Sequence, residues 1–316
     1  MVNHPKYSVV FLFLAFLLII TGCASKPTTV PTAVPTQPAP IKLTDGLGRE
    51  ITLASPAQRV VSLAPSNTEI LFAINAGALV VARDEFSDYP AEAVKLPSIG
   101  GSFTKYNYEA IVALKPDLVL AAEINTVDQV KALEDLGITV FMVSNPTTLD
   151  EMYERLLTVA QLTGKTADAK ALVEKLKVRV DVVQKAIAGA TARPKVFYEM
   201  DSTTPNAPFT AGPGTFVDLL IQQAGGKNVA SSLGTAWPQI SIEQLLILNP
   251  DFILLGDAAY GVTTESVKQR AGWDSLAAVK NDRIYPFDAN LVTRPGPRLV
   301  DGLEELAKLF HPEQFK

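Results

Sequence analysis

The chain has 316 residues, a formal net charge of −5, one cysteine and two histidines. This acidic balance argues against a nucleic-acid partner, which would need a basic face, and the single cysteine excludes a disulfide within the chain. His4 lies in a leader and His311 near the C-terminus, so neither a zinc or manganese site nor a Ser-His-Asp triad can be assembled convincingly. We expect no metal site and no enzymatic activity.

Residues 1–22 have the features of a secretion signal. Lys6 precedes an apolar run over 9–20 that is too short for an ordinary membrane span. The small residues before Cys23 resemble the lipobox of bacterial lipoproteins, which implies a lipid on that cysteine. Residues 23–40 are dense in Thr, Pro and Ala and predict a disordered tether. We expect a lipid-anchored, extracytoplasmic protein; the alternative is an ordinary signal peptide with a chance cysteine.

Residues 41–148 predict a first α/β lobe. Glycines over 45–53 predict a hairpin, and strands alternate with helices afterwards, which implies a parallel sheet. The predicted strands are 59–63, 80–82, 118–121 and 139–143. The capping-box spacing of Ser66 and Glu69 predicts a helix from near Asn67 to Gly77. Because this helix would follow a strand and a tight loop, its start is expected at a ligand edge.

Residues 149–190 predict helix almost throughout, divided by Gly164. The second piece, 166–188, has apolar residues at intervals of three and four, as an amphipathic helix requires. At 1.5 Å per residue it would be about 34 Å long. We expect it to run along the back of two lobes; the alternative is two ordinary helices of one large domain.

Residues 191–316 predict a second lobe. It opens with a strand over 195–199, and a Gly/Pro-rich loop over 208–214 leads into a helix over 215–224. Further strands are predicted at 253–255 and 283–285, and a final helix after 294–298.

Two segments 134 residues apart are nearly the same. Residues 108–120 and 242–254 each have a glutamate at the start of a short helix, then a Pro-Asp pair, then a β-branched and leucine run. Proline ends the helix, and the run after it predicts a buried strand. Glu109 and Glu243 occupy corresponding places, which suggests a two-lobed clamp with matched carboxylates that faces a two-fold partner.

Four segments together resemble one family. Residues 59–69, 87–90, 113–117 and 237–241 look like the helical-backbone class of substrate-binding proteins of bacterial ABC importers, with corrinoid-binding members the nearest. The resemblance implies two parallel-sheet sandwich lobes joined by one long α-helix, with the ligand in the cleft between the lobes. It also implies a monomer that docks Glu109 and Glu243 against the permease dimer, which works with an ATPase.

The resemblance also implies ligand-binding side chains. Aromatic residues that line the cleft would match Phe86, Phe103, Phe209 and Trp237. Flat rings suit a flat macrocycle, although Phe86 and Phe103 stand where a tyrosine and a tryptophan would be expected.

Polar candidates are fewer. Arginine binds carboxylate or phosphate edges bidentately, so Arg294 and Arg298 could hold an anionic edge, while Arg298 could instead form a structural ion pair. Asn67 and Asp88 are further candidates for the cleft.

The predicted cargo is a corrinoid, either cobalamin or cobinamide. The alternative within the class is a ferric siderophore or haem. An anionic chelate would need cleft cations, for which Arg83, Arg294 and Arg298 are available, and haem would need a tyrosine such as Tyr89, Tyr106 or Tyr260. From other classes, a ligand-sensing subunit and a secreted hydrolase are the alternatives.

Overall fold

The computed structural model describes residues 39–101 and 105–316. The predicted signal peptide, Cys23, most of the tether and Phe103 therefore lie outside the described residues. The described chain opens with an antiparallel hairpin of β1 (Ile41–Thr44) and β2 (Glu50–Leu53). Within the described ranges, no helix is long and apolar enough to cross a membrane.

The first lobe is built on a four-stranded parallel sheet. Its strands, in chain order, are β3 (Val60–Ser62), β4 (Val80–Arg83), β5 (Leu118–Ala122) and β6 (Val140–Val143). Its helices are α1 (Pro65–Ala73), α2 (Tyr108–Ala113) and α3 (Val127–Asp135). The spatial order of the strands is β4–β3–β5–β6. Side chains alternate across the sheet, so Val60 enters one core and Val61 another, and both faces are covered by helices.

The predicted start of α1 was wrong. The helix begins at Pro65, with Ala64 as its N-cap and no side-chain capping bond, and it ends at Ala73. Proline at the first helical position accounts for this start, since its missing N–H is not needed there. The Glu69 side chain is buried and paired with two arginines of the other lobe instead of returning to the helix start.

Two helices follow the first lobe. They are α4 (Leu149–Thr163) and α5 (Thr166–Ile187), separated by Gly164 in the left-handed region. With 22 residues, α5 is about 33 Å long. The predicted long amphipathic helix is confirmed.

The second lobe has a five-stranded sheet. Its strands are β7 (Lys195–Asp201), β8 (Phe209–Thr210), β9 (Lys227–Asn228), β10 (Phe252–Leu255) and β11 (Ile284–Pro286). Strands β11, β10, β7 and β9 are parallel, and the short β8 pairs antiparallel with β7. Its helices are α6 (Phe216–Gln223), α7 (Ile242–Leu248), α8 (Thr264–Lys268), α9 (Ala277–Lys280), α10 (Asn290–Thr293) and α11 (Leu299–Phe310).

Helix α5 joins the two lobes. Near its start, Asp168 accepts a hydrogen bond of 2.8 Å from Asn75 of the first lobe. Further along, Arg179 pairs with Asp301 and Glu304 of α11 in the second lobe. One hydrophobic core contains Leu71 of α1, Leu176 of α5 and Leu303 of α11. The lobes therefore share a packed core along this helix, and the two-lobe α/β fold is confirmed.

Candidate ligand-binding cleft

A cavity of about 730 Å³ lies between the lobes. This volume is within the range of about 300–1,000 Å³ that is usual for small-molecule sites. Most of its lining is apolar. The lining residues are Ala64, Pro65, Ser66, Asp84, Phe86, Ala122, Ile124, Asn145, Met200, Phe216, Trp237, Thr293, Arg294 and Pro295.

The first lobe contributes residues that follow its strands. Ala64 comes after β3, Asp84 after β4, Ile124 after β5 and Asn145 after β6. Because the carboxyl ends of parallel strands meet at one edge of a sheet, these side chains converge there, as ligand sites of parallel sheets do. The start of α1 lies at the same edge, as predicted. The sequence analysis did not name Asp84, Ile124 or Asn145, although their positions shortly after predicted strands were a usable signal.

Phe86 is held at the cleft by a buried polar network. Its backbone N–H donates to Asp84 Oδ1 at 2.8 Å, and the Ser87 hydroxyl donates to the other Asp84 oxygen. The Thr68 hydroxyl lies 2.7 Å from that of Ser87 and ties the loop to α1. Burial raises the pKa of Asp84, and the Ser87 hydrogen bond opposes this only in part. The loop that carries Phe86 is therefore fixed by side chains that are themselves buried.

The second lobe supplies Trp237 and Phe216. Trp237 is 47% exposed, and the segment around it is held by a hydrogen bond of 2.9 Å from Thr210 N–H to Pro238 O. Phe216, the first residue of α6, was not predicted as a site residue. Phe209 lies on the edge strand β8 and is not among the residues that line the cavity.

Arg294 lines the cavity, but its charge is already balanced. Its Nη1 lies 3.0 Å from Glu69 Oε1 and 2.6 Å from Asp88 Oδ1. Arg298 donates to both oxygens of Glu69, at 2.8 and 2.6 Å, which confirms its structural ion pair. Burial acts to lower the pKa of each arginine, but the hydrogen bonds and charges of these carboxylates outweigh it and the pKa values are raised. The guanidinium of Arg298 also stacks 4.1 Å from the ring centre of Tyr89.

Neither Asn67 nor Asp88 is among the lining residues. Asn67 is fully buried in α1, and neither atom of its amide makes a hydrogen bond. Asp88 is 61% exposed, and its carboxylate pairs with Arg294. Burial opposes ionisation of Asp88, but the hydrogen bond and charge of Arg294 lower its pKa overall.

Apart from Arg294, the side chains considered for an anionic chelate or haem are not among the cavity-lining residues. Tyr106 is buried and donates to Leu63 O at 2.9 Å, whereas Tyr260 is 89% exposed. The Arg83 guanidinium is occupied by backbone carbonyls, among them Ala93 O at 3.1 Å. In the part of the chain that the structure describes, no group of three or more His, Cys, Asp or Glu side chains could hold a metal ion.

Glu109 and Glu243 are exposed in the first turns of α2 and α7. Both helices are capped in the same way, because Asn107 accepts from Ala110 N–H and Ser241 accepts from Gln244 N–H. Hydrogen bonds from its own N–H and from Ser241 lower the pKa of Glu243.

Comparison with known families agrees with this architecture. Residues 60–291 match the family described as periplasmic binding protein. The chain belongs to the periplasmic binding protein family. It is 35% identical over 285 residues to YvrC, an ABC transporter substrate-binding lipoprotein of Bacillus subtilis, covering 89% of this chain and 88% of that one. It is 31% identical over 279 residues to a cobalamin-binding protein of Halobacterium salinarum, covering 86% and 74% of the two chains.

Solved structures of this family superpose well. The periplasmic vitamin B12-binding protein BtuF of Vibrio cholerae has a TM-score of 0.70 and 28% identity, covering 83% of this chain and 99% of that one. The haem-binding protein RhuT of Roseiflexus sp. RS-1 has a TM-score of 0.73 and 26% identity, covering 82% and 99%. This periplasmic binding protein therefore has the two-lobe fold of the class, and its family consists of substrate-binding transport proteins.

Proposed function

We propose that this periplasmic binding protein captures a corrinoid, cobalamin or cobinamide, in the cleft and delivers it to an ABC permease dimer. The observation that carries the proposal is a largely apolar cavity with Trp237 and Phe86 on its walls and a lining arginine that is already paired. A large macrocycle with a neutral amide periphery needs rigid contact area and hydrogen bonds more than charge. Relatives named for cobalamin and vitamin B12 support this cargo.

Haem or an anionic ferric siderophore is the second candidate, since structures of similar fold include haem-binding proteins. An anionic edge would have to displace Asp88 from Arg294. Among the described lining residues, the Met200 thioether is the one side chain of a type that commonly ligates haem iron. The electrostatics therefore favour the corrinoid.

The anchoring and delivery steps complete the proposal. Residues 1–22 act as the signal peptide, Cys23 carries the lipid, and residues 23–40 are the tether, followed by lobes over 41–148 and 191–316 with the helical segment 149–190 between them. Glu109 and Glu243, exposed at equivalent places of the two lobes, dock on the two halves of the permease. Because these residues lie outside the cavity lining, docking and ligand binding are separable by mutation.

The test is a titration of the mature protein with cyanocobalamin, cobinamide, haem and a ferric hydroxamate. Tryptophan fluorescence reports on the cleft, because Trp237 lines it while Trp273 is fully buried in the core; calorimetry confirms each affinity independently of light absorption by the ligands. We expect saturable binding of a corrinoid at one site. Trp237→Ala should weaken it at least about tenfold, since a large aromatic contact is lost.

Tyr260→Ala is the matched control, as this aromatic side chain is 89% exposed, does not line the cavity and should leave corrinoid affinity unchanged. Binding of haem or the hydroxamate with no corrinoid binding would replace the cargo with an iron chelate. If none of the four ligands binds, the proposed cargo fails, while the fold and the family stand.

A further inference from the structure

The helix that carries Glu243 also exposes aliphatic side chains. Ile247 is 82% exposed and Leu246 is 36% exposed, although α7 has a buried position at Leu245. Among the large aliphatic side chains of the described residues, Ile247 is the most exposed. Residues three and four positions apart on a helix are neighbours on its surface. Glu243, Leu246 and Ile247 therefore form one patch, which we call the α7 patch.

The first lobe has the same arrangement on a smaller scale. In the repeat, Val112 corresponds to Leu246 and Ala113 to Ile247, and both are exposed one turn after Glu109. Val112 is 42% exposed. We call Glu109, Val112 and Ala113 the α2 patch. A single exposed aliphatic residue is normal on a protein surface, but a carboxylate beside aliphatic side chains at equivalent positions of two lobes is a repeated feature.

Ion pairs alone would give only weak binding to the permease. Exposed ion pairs contribute only about 0–1 kcal/mol each and are screened by salt. Two such pairs orient a complex but do not hold it, whereas apolar contacts that exclude water slow dissociation. A binding protein that must stay on its permease while the ligand is released needs apolar contacts of this kind.

We propose that each docking patch joins a carboxylate to an aliphatic contact, so that each half of the permease presents a cation beside an apolar pocket. The α7 patch, with Leu246 and Ile247, makes the larger apolar contact, and the α2 patch makes the smaller one. This inference rests on the proposed delivery to a permease dimer. The unequal apolar contacts make the binding of the two lobes to the permease asymmetric, although the permease dimer is two-fold symmetric.

The experiment measures binding of the cyanocobalamin-loaded mature protein to a permease–ATPase complex in nanodiscs, at low and high salt. The complex used is the one with which this protein supports cyanocobalamin uptake in proteoliposomes. Ile247→Ser should raise the Kd for the permease about tenfold at both salt concentrations, because an apolar contact is not screened. Val112→Ser should have a smaller effect, and Glu243→Gln should weaken binding at low salt much more than at high salt.

Val182→Ser is the matched control, since this valine is 58% exposed and lies on α5, which belongs to neither patch. It should bind the permease as the unmodified protein does, and all variants should keep their cyanocobalamin affinity. If Ile247→Ser binds the permease as tightly as the unmodified protein while Glu243→Gln binds more weakly, the inference is overturned and the interface with the permease is purely ionic. Unchanged binding by Glu109→Gln combined with Glu243→Gln overturns the proposed delivery itself, and so does the absence of uptake with every permease tested when the protein binds cyanocobalamin.

Discussion

Asp117 and Asp251 make equivalent hydrogen bonds in the two lobes. Asp117 N–H donates to the carbonyl of Arg59, just before β3, at 3.0 Å, and Asp251 N–H donates to the carbonyl of Lys195, the first residue of β7, at 2.7 Å. Each carboxylate accepts from the N–H of that same residue, at 2.9 and 2.8 Å. The Pro-Asp pair of the repeat therefore ends a helix and fixes the start of the next strand pairing.

Removing the second of these carboxylates should destabilise the protein. Asp251→Ala leaves the partly buried Lys195 N–H without its acceptor, and we expect the free energy of unfolding to fall by about 1–2 kcal/mol. Asp117→Ala should cost less, about 0.5–1 kcal/mol, because its bonds are exposed to water. Urea denaturation measures both changes. The exposed Glu174→Ala on α5 is the control, and an Asp251→Ala variant as stable as this control would contradict the role.

The repeat also shows how much of the fold could be predicted. Lys115 and Asn249 both end their helices in the left-handed region, with φ of 48° and 44°. Lys195 Nζ donates to Leu248 O at 2.7 Å, as the Arg59 guanidinium does to Leu114 O. The helix ends are local features, whereas these two hydrogen bonds join residues more than 50 positions apart. The repeated sequence pattern was sufficient to locate both units, and the amphipathic spacing was sufficient to locate α5.

Features that depend on the other lobe could not be predicted. Glu69 has capping-box spacing from Ser66, but its partners Arg294 and Arg298 lie more than 200 residues away in the sequence. Local sequence spacing favoured a capping role for Glu69, but its buried pairing with the two arginines determined where its side chain lies. Phe209 is a different case, since its position depends on the pairing of β8 with β7 inside its own lobe; it stays a predicted ligand-binding residue that the cavity lining does not include.

Glu69 should be essential to the contact between the lobes. Its side chain is 1% exposed and those of Arg294 and Arg298 are 13% and 11% exposed, so the charges are largely removed from water. Glu69→Gln leaves two buried arginines with one carboxylate, and we expect a loss of about 2–4 kcal/mol in the free energy of unfolding. Asp88→Asn is the matched comparison at the exposed end of the cluster and should cost less than about 1 kcal/mol. Similar losses from the two substitutions in urea denaturation would contradict this assignment.

The pairing of Arg179 with Glu304 should make stability depend on pH. The hydrogen bond from Arg179 lowers the pKa of Glu304 below its ordinary value of 4.5. The unfolded chain therefore binds more protons between the folded and unfolded pKa values, and stability rises with pH across that window. The contribution is complete above pH 4.5 and is lost as the pH falls through the folded pKa.

Glu304→Gln should accordingly lower the free energy of unfolding at neutral pH by about 0.5–1 kcal/mol, a modest value because both side chains are partly exposed. The difference from the unmodified protein should disappear in acid. Denaturation curves at neutral and acidic pH measure it, with Glu174→Gln as the exposed control. A loss of the same size at both pH values would indicate lost packing instead of lost charge.

Gly302 lies within α11, where helix propensity and packing predict opposite effects of an added methyl group. Propensity alone would make Gly302→Ala stabilising by about 1 kcal/mol. A Cβ at this position would lie 2.4 Å from the backbone oxygen of Leu291, which cannot move without shifting α10. Because such overpacking costs about 1–3 kcal/mol, we expect Gly302→Ala to lower the free energy of unfolding. A Cβ added at Gly189 would have no atom within 4 Å, so Gly189→Ala should leave the free energy of unfolding unchanged or raise it by up to about 1 kcal/mol. Thermal and urea unfolding of the two variants should therefore differ in sign, and a stabilised Gly302→Ala would show that α10 and α11 are not in close contact in solution.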